Sequence, residues 1–161
     1  MNSTGIGYDS HRFAPGGPMR LGGVSLPLDY HLHGHSDGDA VAHALTDAVL
    51  GAAAAGDIGE MFPDSDASNR GRDSLDMLRR AVQRVAALGW TVANVDATIV
   101  AERPRIGAHR DAMRAALSTA LGLDAERVSV KGKSNEGMGW IGRGEGLACI
   151  AVATLERRAA T

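Results

Sequence analysis

The stretch DAVAHALTDAVLGAAAA at residues 39–55 repeats apolar side chains at helical spacing and predicts an amphipathic helix. Asp37 or Asp39 can cap the start of this helix, and Gly56 can end it. The apolar positions are Val41, Ala42, Leu45, Val49 and Ala52 or Ala53. Strand-like segments precede and follow it, so the helix indicates an α+β fold.

The segments on either side alternate strands with helices. Strands are predicted over residues 4–8, 91–101, 128–133 and 146–155, with a bent hairpin or second strand over residues 19–26. Further helices are predicted over residues 74–88 and 108–121. Loops are predicted over residues 29–34 and 56–72, and the length of the second suggests function. We expect one domain, residues 1–161, with a ferredoxin-like layer of mixed sheet and helices on one face.

One predicted strand carries polar side chains that suggest an interface. Along residues 91–101 the alternate positions are Val92, Asn94, Asp96, Thr98 and Val100. Alternate residues of a strand point to the same face, so these five are expected to share one.

Composition restricts the classes of function. The chain has 161 residues, 44% of them hydrophobic, a formal net charge of −2 and two each of Trp, Tyr and Phe. This balance argues against a nucleic-acid partner. The N-terminal segment has no basic region followed by an apolar run, and no stretch approaches the ~20 apolar residues of a membrane span. A single cysteine, Cys149, excludes an internal disulfide, and we expect a cytoplasmic protein.

Three side chains predict a metal site. Asp9 and His11 are two apart on a strand and share a face, and His43 in the helix can point at the same place. Two imidazoles and a carboxylate leave one coordination position open, as in catalytic zinc sites. Asp47, one helical turn after His43, lies on the same helix face.

Other interpretations of these residues remain open. An aspartate at a strand end is ordinarily a turn or cap residue, and a histidine on an apolar helix face is ordinarily a core group. His31, His33 and His35 form a rival cluster of alternate histidines, although the intervening residues do not favour a strand.

Two glycine-containing segments could hold phosphate. The sequence KGKSNEG at residues 131–137 places cations, a hydroxyl and a carboxylate at the end of a strand. The sequence GRGEG at residues 142–146 allows close backbone approach to an anion. A solvated strand edge and an ordinary hairpin turn are the alternatives.

Several ordered motifs together resemble one enzyme family. They are GYDSHRF (residues 7–13), HSDGDAVAHALTDAVLGAAAAGDIG (35–59), FPDSD (62–66), NVDATIVAERPRI (94–106), KSNEGMGW (133–140) and GRGEGLAC (142–149). With them the chain resembles the 2-C-methyl-D-erythritol 2,4-cyclodiphosphate synthases of the non-mevalonate isoprenoid pathway along almost its whole length.

The resemblance implies a homotrimer of ferredoxin-like subunits with active sites at the subunit interfaces. The substrate would be a cytidine diphosphate ester of methylerythritol 2-phosphate, whose 2-phosphate attacks the β-phosphorus and expels CMP. Asp9, His11 and His43 would hold Zn²⁺, and Glu136 would help to hold Mg²⁺ or Mn²⁺ between the α- and β-phosphates. His35 and Ser134 would stabilise the transition state.

The resemblance also implies the substrate contacts. The methylerythritol hydroxyls would be read by Asp47, Asp57, Ile58, Gly59, Phe62, Pro63, Asp64, Ser65 and Asp66. Cytosine would lie against a neighbouring subunit at Ala101, Pro104, Arg105, Ile106, Gly107 and Lys133. Further contacts are expected from Asp9, His11, His35, Ser36, Ser134, Asn135, Glu136, Trp140 and Arg143.

Three residues depart from the family pattern. Ser134 stands where threonine is common, Trp140 where phenylalanine is common and Arg105 where lysine is common. We expect altered affinity rather than altered chemistry. Near the trimer axis, Arg143 and Glu145 would border a cavity in which the family can hold isoprenoid diphosphates, and its use here is a hypothesis.

Two other functional classes share the same features. A zinc-dependent phosphohydrolase would use the three ligands to activate water. A non-catalytic trimeric metabolite-binding protein would use the metal for structure only. No membrane partner is expected.

Overall fold

The computed structural model describes residues 1–158, so the end of the predicted domain at residue 161 lies outside the described residues. The strands are β1 (Asn2–Pro15), β2 (Met19–Leu21), β3 (Val24–Leu26), β4 (Tyr30–Leu32), β5 (Trp90–Val100), β6 (Val128–Lys133) and β7 (Gly146–Arg157). The helices are α1 (Ala40–Ala52), α2 (Ile58–Met61), α3 (Ser74–Ala87), α4 (Arg110–Leu121) and α5 (Gly139–Gly142), with 3₁₀ turns at Ala67–Asn69, Gly107–His109 and Ala125–Arg127.

Five strands form one mixed sheet in the order β4-β1-β7-β5-β6, and β2 pairs with β3 in a separate hairpin. Only β5 and β6 run parallel among these pairs. The mixed sheet with its helices confirms the predicted α+β class. Within residues 1–158, none of the helices combines the length and apolarity that crossing a membrane requires.

Helix α1 packs against β1 and β7 on one face of the sheet. Gly5 and Gly7 of β1 face this helix, and a β carbon on either would clash with its backbone. Ile6 and Tyr8 point to the opposite face, where they are 70% and 56% exposed. The alternation of glycine with large side chains therefore brings α1 unusually close to β1 and leaves apolar side chains on the open face.

Several predicted elements are confirmed. Residues 19–26 form the hairpin of β2 and β3, α3 begins at the predicted residue, and β6 has the predicted bounds. Asp39 caps α1 by accepting hydrogen bonds from the N–H groups of Val41 and Ala42. It also accepts the N–H groups of Gly22 and Gly23, so this buried carboxylate ties the hairpin to the helix.

Strand predictions near the N-terminus were too short. β1 does not end at residue 8 but continues through Asp9 and His11, because β7 pairs with it as far as Arg12. Residues 29–34 are not only a loop, because Phe13 pairs with Leu32 and creates β4. The rings of Phe13 and Tyr30 meet edge to face with centroids 5.0 Å apart. A partner distant in sequence thus makes a strand that local pattern does not indicate.

Helix boundaries also differ from the sequence predictions. α1 ends at Ala52 because Ala54 takes a φ of 50° and the Ala55 N–H bonds to the Leu50 carbonyl, a left-handed closure that precedes Gly56. Residues 56–72 contain α2 and a 3₁₀ turn, so the prediction of no regular structure was wrong. Residues 107–109 form a 3₁₀ turn, and α4 begins only after them.

The predicted single face of β5 is interrupted. A register irregularity lies between Val92 and Asn94, so Val92 is buried whereas Asn94 is exposed. Asp96, Thr98 and Val100 keep the expected alternation and are half-buried. A bulge of this kind adds one residue and moves the side chains on its two sides to different faces.

Candidate active site

Two side chains of β1 and one of α1 converge at the surface where these elements meet. His11 Nε2 lies 2.8 Å and His43 Nδ1 3.0 Å from Asp9 Oδ2. The two imidazole nitrogens are 3.3 Å apart. Within residues 1–158, this is the group of three metal-ligand side chains that the structure assembles, and the rival histidines 31, 33 and 35 form no such group. The predicted convergence is confirmed.

The donor set fits a zinc ion. Tetrahedral zinc with bonds of about 2.0–2.1 Å places neighbouring ligand atoms roughly 3.3 Å apart, slightly wider than two of the three distances here. An outward movement of Asp9 by a few tenths of an ångström would bring all three distances to roughly that spacing. Three protein ligands would leave one coordination position open, and the mixture of imidazole and carboxylate suits zinc better than calcium or magnesium.

Charges within the cluster are coupled. Burial acts to raise the pKa of Asp9, but the hydrogen bonds with His11 and His43 outweigh it and leave that pKa lowered. Burial acts to lower the pKa of His11, but the hydrogen bond with Asp9 outweighs it and leaves that pKa raised. Each group thus favours the charged form of the other, and a metal must compete with a proton for His11.

The second nitrogen of His43 contacts two hydroxyl groups. His43 Nε2 lies 2.9 Å from Ser36 Oγ and 2.8 Å from Ser74 Oγ. Ser74 is the first residue of α3 and is completely buried. Its hydroxyl and its backbone N–H both bond to the carboxylate of Asp37. His43 is thus held from the side opposite Asp9.

A cleft of about 230 Å³ opens beside the cluster. The ligand histidines form one wall, and the cleft extends towards α2 and the loop after it. His35 Nε2 lies 3.9 Å from Asp64 Oδ2, and both side chains are well exposed. Of the residues expected to contact substrate, those lining this cleft are His11, His35, Ser36, Ile58, Gly59, Phe62 and Asp64.

Other carboxylates expected near the methylerythritol hydroxyls shape the segments around the cleft. Asp47 Oδ1 accepts the Ile58 N–H at 2.8 Å, and burial raises the pKa of Asp47 against the effect of this bond. Asp57 caps α2, and Asp66 caps the 3₁₀ turn that follows. Pro63 and Ser65 are exposed. These contacts fix the backbone of the loop whose side chains face the cleft.

The residues expected to bind cytidine lie at or after the ends of β5 and β6, the two strands farthest from β4 in the sheet. β5 and β6 end together, where the Ala101 N–H bonds to the Lys133 carbonyl at 2.8 Å. Pro104 follows a cis peptide bond and is buried with Ile106, whereas Arg105 and Gly107 are exposed. In the sheet, β7 lies between β1 and β5, and β6 lies beyond β5, so strand spacing places β5 roughly 10 Å and β6 roughly 14 Å from β1.

The loop after β6 carries a hydroxyl and a carboxylate close together. Ser134 Oγ lies 3.2 Å from Glu136 Oε1, and Glu136 adopts a φ of 54°. Glu102 Oε1 accepts the N–H groups of Asn135 at 2.8 Å and Gly137 at 3.2 Å. Sequence reasoning missed Glu102, whose role depends on contacts 33 and 35 residues away.

Trp140 and Arg143 do not line the cleft. Trp140 lines a second cavity of about 890 Å³ together with Phe13, Tyr30 and Arg103, and His11 lines both this cavity and the cleft. Arg143 Nε pairs with Glu145 Oε1 at 3.1 Å. One chain therefore brings the predicted metal ligands together with the predicted methylerythritol contacts, and keeps the predicted cytidine contacts apart from both.

Comparison with known proteins identifies the family of the chain. Residues 2–156 match the YgbB family. A 2-C-methyl-D-erythritol 2,4-cyclodiphosphate synthase from Gemmatimonas aurantiaca is 64% identical over 152 residues, which span 94% of this chain and 92% of that protein. The structure of IspF from Plasmodium falciparum in complex with CDP has 32% identity and a TM-score of 0.86, over 98% of this chain and 97% of its own. The bifunctional IspDF from Campylobacter jejuni has 38% identity and a TM-score of 0.94, covering 98% of this chain and 42% of that longer one.

Proposed function

The chain belongs to the YgbB family, and from this membership we propose that it is a metal-dependent phosphorus–oxygen lyase of non-mevalonate isoprenoid biosynthesis. It converts 4-diphosphocytidyl-2-C-methyl-D-erythritol 2-phosphate to 2-C-methyl-D-erythritol 2,4-cyclodiphosphate and CMP. The substrate's own 2-phosphate attacks its β-phosphorus, so one phosphorus–oxygen bond forms as the bond to CMP breaks. The observation that carries the proposal is the cluster of Asp9, His11 and His43 at the wall of the cleft.

The residues of the cleft meet the needs of this reaction. An attacking phosphate is already an anion, so the site needs charge neutralisation and alignment more than a strong base. Asp9, His11 and His43 would hold Zn²⁺, which as a Lewis acid draws charge from the β-phosphate when it is bound. His35, at the mouth of the same cleft, donates a hydrogen bond to the charge that develops in the transition state.

The far end of the sheet supplies the remaining groups. Glu136 would help to hold Mg²⁺ or Mn²⁺ between the α- and β-phosphates, since hard divalent cations favour carboxylate oxygen. The Ser134 hydroxyl donates a hydrogen bond to the same phosphates. The backbone of residues 101–107 with Lys133 would receive the cytosine. The P. falciparum relative is a CDP complex, which supports a cytidine nucleotide as the ligand.

Association of three ferredoxin-like subunits would complete each site. The metal ligands and the cytidine region are separated by β7 and β5 in one chain, and a neighbouring subunit can bring its cytidine region to them. The open sheet face presents Ile6, Tyr8 and Ile150, which are 70%, 56% and 42% exposed. Clustered apolar side chains of this kind are typical of an interface, so they support a homotrimer.

Further parts of the proposal concern the whole chain. The proposal treats the chain as one domain, and the pairing of β7 with β1 supports this for the described residues 1–158. The free and completely buried Cys149 is compatible with the reducing cytoplasm, where we place the enzyme. Binding of an isoprenoid diphosphate near Arg143 and Glu145 stays a prediction.

Product analysis tests the reaction directly. The purified protein is incubated with 4-diphosphocytidyl-2-C-methyl-D-erythritol 2-phosphate, with and without Mg²⁺ and a chelator, and the products are followed by phosphorus NMR. Metal-dependent release of CMP with a cyclic diphosphate supports the proposal. A linear phosphate carrying solvent oxygen would instead indicate a phosphohydrolase, and the absence of turnover by folded, metal-loaded protein would indicate a binding protein.

A further inference from the structure

A hydrogen-bond network centred on the buried Ser74 lies behind the metal ligand His43, and the reaction described above does not use it. It runs from His43 Nε2 to Ser74 Oγ, a distance of 2.8 Å, and from Ser74 to the carboxylate of Asp37. Ser74 is completely buried at the start of α3, whereas Asp37 lies in the segment before α1. These hydrogen bonds therefore join three separate segments of the protein at the metal site.

The direction of each hydrogen bond follows from the donors that surround Asp37. Its Oδ2 accepts the Ser74 N–H at 3.0 Å, and its Oδ1 accepts the Asp39 N–H at 3.1 Å. Arg20 Nε lies 4.0 Å from Oδ2, so positive charge faces the same carboxylate. A carboxylate can only accept, so the Ser74 hydroxyl must donate its proton to Asp37.

That direction determines which ring nitrogen of His43 carries the proton. With its own proton directed to Asp37, Ser74 Oγ can offer only a lone pair to His43 Nε2, which must therefore be the N–H nitrogen. The lone pair of the neutral ring is then on Nδ1, the atom that faces Asp9 and His11. Ser36 Oγ, 2.9 Å from Nε2, does not decide this alone because its hydroxyl can donate or accept.

We propose that Asp37 and Ser74 are positioning residues that orient His43 and hold it in the Nε2–H form required for metal binding through Nδ1. The pair acts through His43 and touches neither metal nor substrate. A ligand histidine is commonly fixed in this way by a hydrogen bond to its other nitrogen, which also makes the ring a stronger ligand. This inference rests on the proposed function, because it requires a metal at Asp9, His11 and His43.

Asp37→Asn is the sharpest variant because it keeps the shape of the side chain. The amide nitrogen can now donate to Ser74 Oγ, which allows the serine hydroxyl to donate to His43 Nε2 and favours the wrong form of the ring. Ser74→Ala removes the hydroxyl between Asp37 and His43 without offering His43 Nε2 a hydrogen-bond donor in its place. Asp73→Asn is the matched control, since Asp73 caps the same helix through the Leu75 N–H without contacting His43, and asparagine retains that cap.

The measurements are the Zn²⁺ and Co²⁺ affinities of metal-free protein, by competition with a chelator, and the state of His43 in the Zn²⁺-loaded protein by nitrogen-15 NMR. We expect about a 10- to 100-fold weaker affinity in Asp37→Asn and Ser74→Ala and an unchanged affinity in Asp73→Asn. Turnover lost by the two variants should return at high metal concentration, which a general loss of folding would not allow. The wild-type spectrum should show a proton on Nε2.

Wild-type affinities in both variants, or a proton on Nδ1 in the loaded wild-type protein, would overturn the inference. The spectrum needs no variant, so the test stands even if both substitutions unfold the chain. A wild-type protein that bound no metal would remove this inference together with the metal-dependent part of the proposed function. Wild-type metal binding and cyclisation with insensitive variants would remove this inference alone.

Discussion

The backbone carbonyl of Ala44 in α1 lies so close to Gly7 of β1 that no β carbon fits between them. Ala44 is next to the ligand His43, and Gly7 is two residues before the ligand Asp9 on the same face of β1. The separation of strand and helix at this contact therefore sets the separation of the metal ligands.

Gly7→Ala is expected to lower both stability and metal affinity. The added methyl group forces α1 away from β1, and overpacking of this kind costs about 1–3 kcal/mol. Gly51→Ala is the matched control, because a β carbon at this helical position would meet only the Ile6 carbonyl oxygen, at 4.0 Å, outside its own helix. That control should raise stability by about 0.5–1 kcal/mol. Urea unfolding measures the stability of each variant, and a Zn²⁺ titration measures its metal affinity. Equal effects of the two substitutions would contradict the packing argument.

His43→Ala and His35→Ala are expected to separate metal binding from transition-state stabilisation. The first removes a ligand, so Zn²⁺ affinity and turnover should both be lost. The second removes a hydrogen-bond donor from the cleft and should lower kcat about 10²- to 10³-fold with Zn²⁺ affinity unchanged. Metal titration and steady-state kinetics on each variant make the comparison, and loss of Zn²⁺ from His35→Ala would reassign that residue.

The Ser134 hydroxyl is expected to affect turnover through the hydrogen bond that it donates to the substrate phosphates. Ser134→Ala should lower kcat by about 10²-fold, as when a donor to a developing oxyanion is removed. Ser134→Thr keeps the hydroxyl and should stay within a few-fold of the wild-type rate. Rates measured at saturating metal decide the matter, and two equally slow variants would point to the backbone of this loop instead.

Charging the open sheet face is expected to prevent assembly. Ile6→Lys places an ammonium group on this face. It should reduce the mass measured by light scattering from that of the proposed trimer to that of a monomer, with turnover lost and Zn²⁺ binding retained. Leu88→Lys is the control, since Leu88 is also 49% exposed but lies at the end of α3, where a cation is favourable. A trimer formed by the Ile6 variant would exclude this face as the interface.

Asp9 and His11 are expected to make a pH-dependent contribution to the stability of the metal-free protein. The pKa of His11 is raised above 6.5, so its contribution to stability is complete below that value and is lost as the pH rises through the folded-state pKa. The pKa of Asp9 is lowered below 3.8, so its contribution is complete above that value and is lost as the pH falls through the folded-state pKa. The pair should therefore stabilise metal-free protein most between these two ordinary values.

The affinity for Zn²⁺ is expected to fall as His11 becomes protonated. The proton on His11 must leave before Nε2 can bind metal, so affinity should fall as the pH drops through the raised pKa. Thermal unfolding with chelator and with Zn²⁺, compared from pH 4 to pH 8 with Asp9→Asn, measures both effects. A Zn²⁺ affinity independent of pH in this range would contradict the assigned ligands.

The local sequence pattern was sufficient to predict an element whose formation depends on its own residues. The apolar spacing of α1 and the Asp39 cap are local features, and the structure contains both. β4 depends on pairing with Phe13, and the bulge after Val92 depends on pairing with β7, so neither has a local signature. The premature end of α1 depends on Ala54 adopting a conformation that glycine usually supplies.

The site follows the same rule. Asp9 and His11 share a face because a strand alternates, and their convergence with His43 could be predicted from that alternation and one helix. Ser74 is 37 residues from Asp37 and 31 from His43, and no spacing in the sequence connects them. Side chains that support the ligands, unlike the ligands, need the tertiary structure to be found.

The two glycines of β1 also control which strand register the chain can adopt. A slip of one residue would turn Asp9 and His11 to the open face, away from His43, and would point Ile6 and Tyr8 at α1. Those large side chains cannot enter a contact in which even a methyl group has no room. Helix α1 thus excludes the misaligned sheet, and the arrangement that packs is the one in which the metal ligands meet.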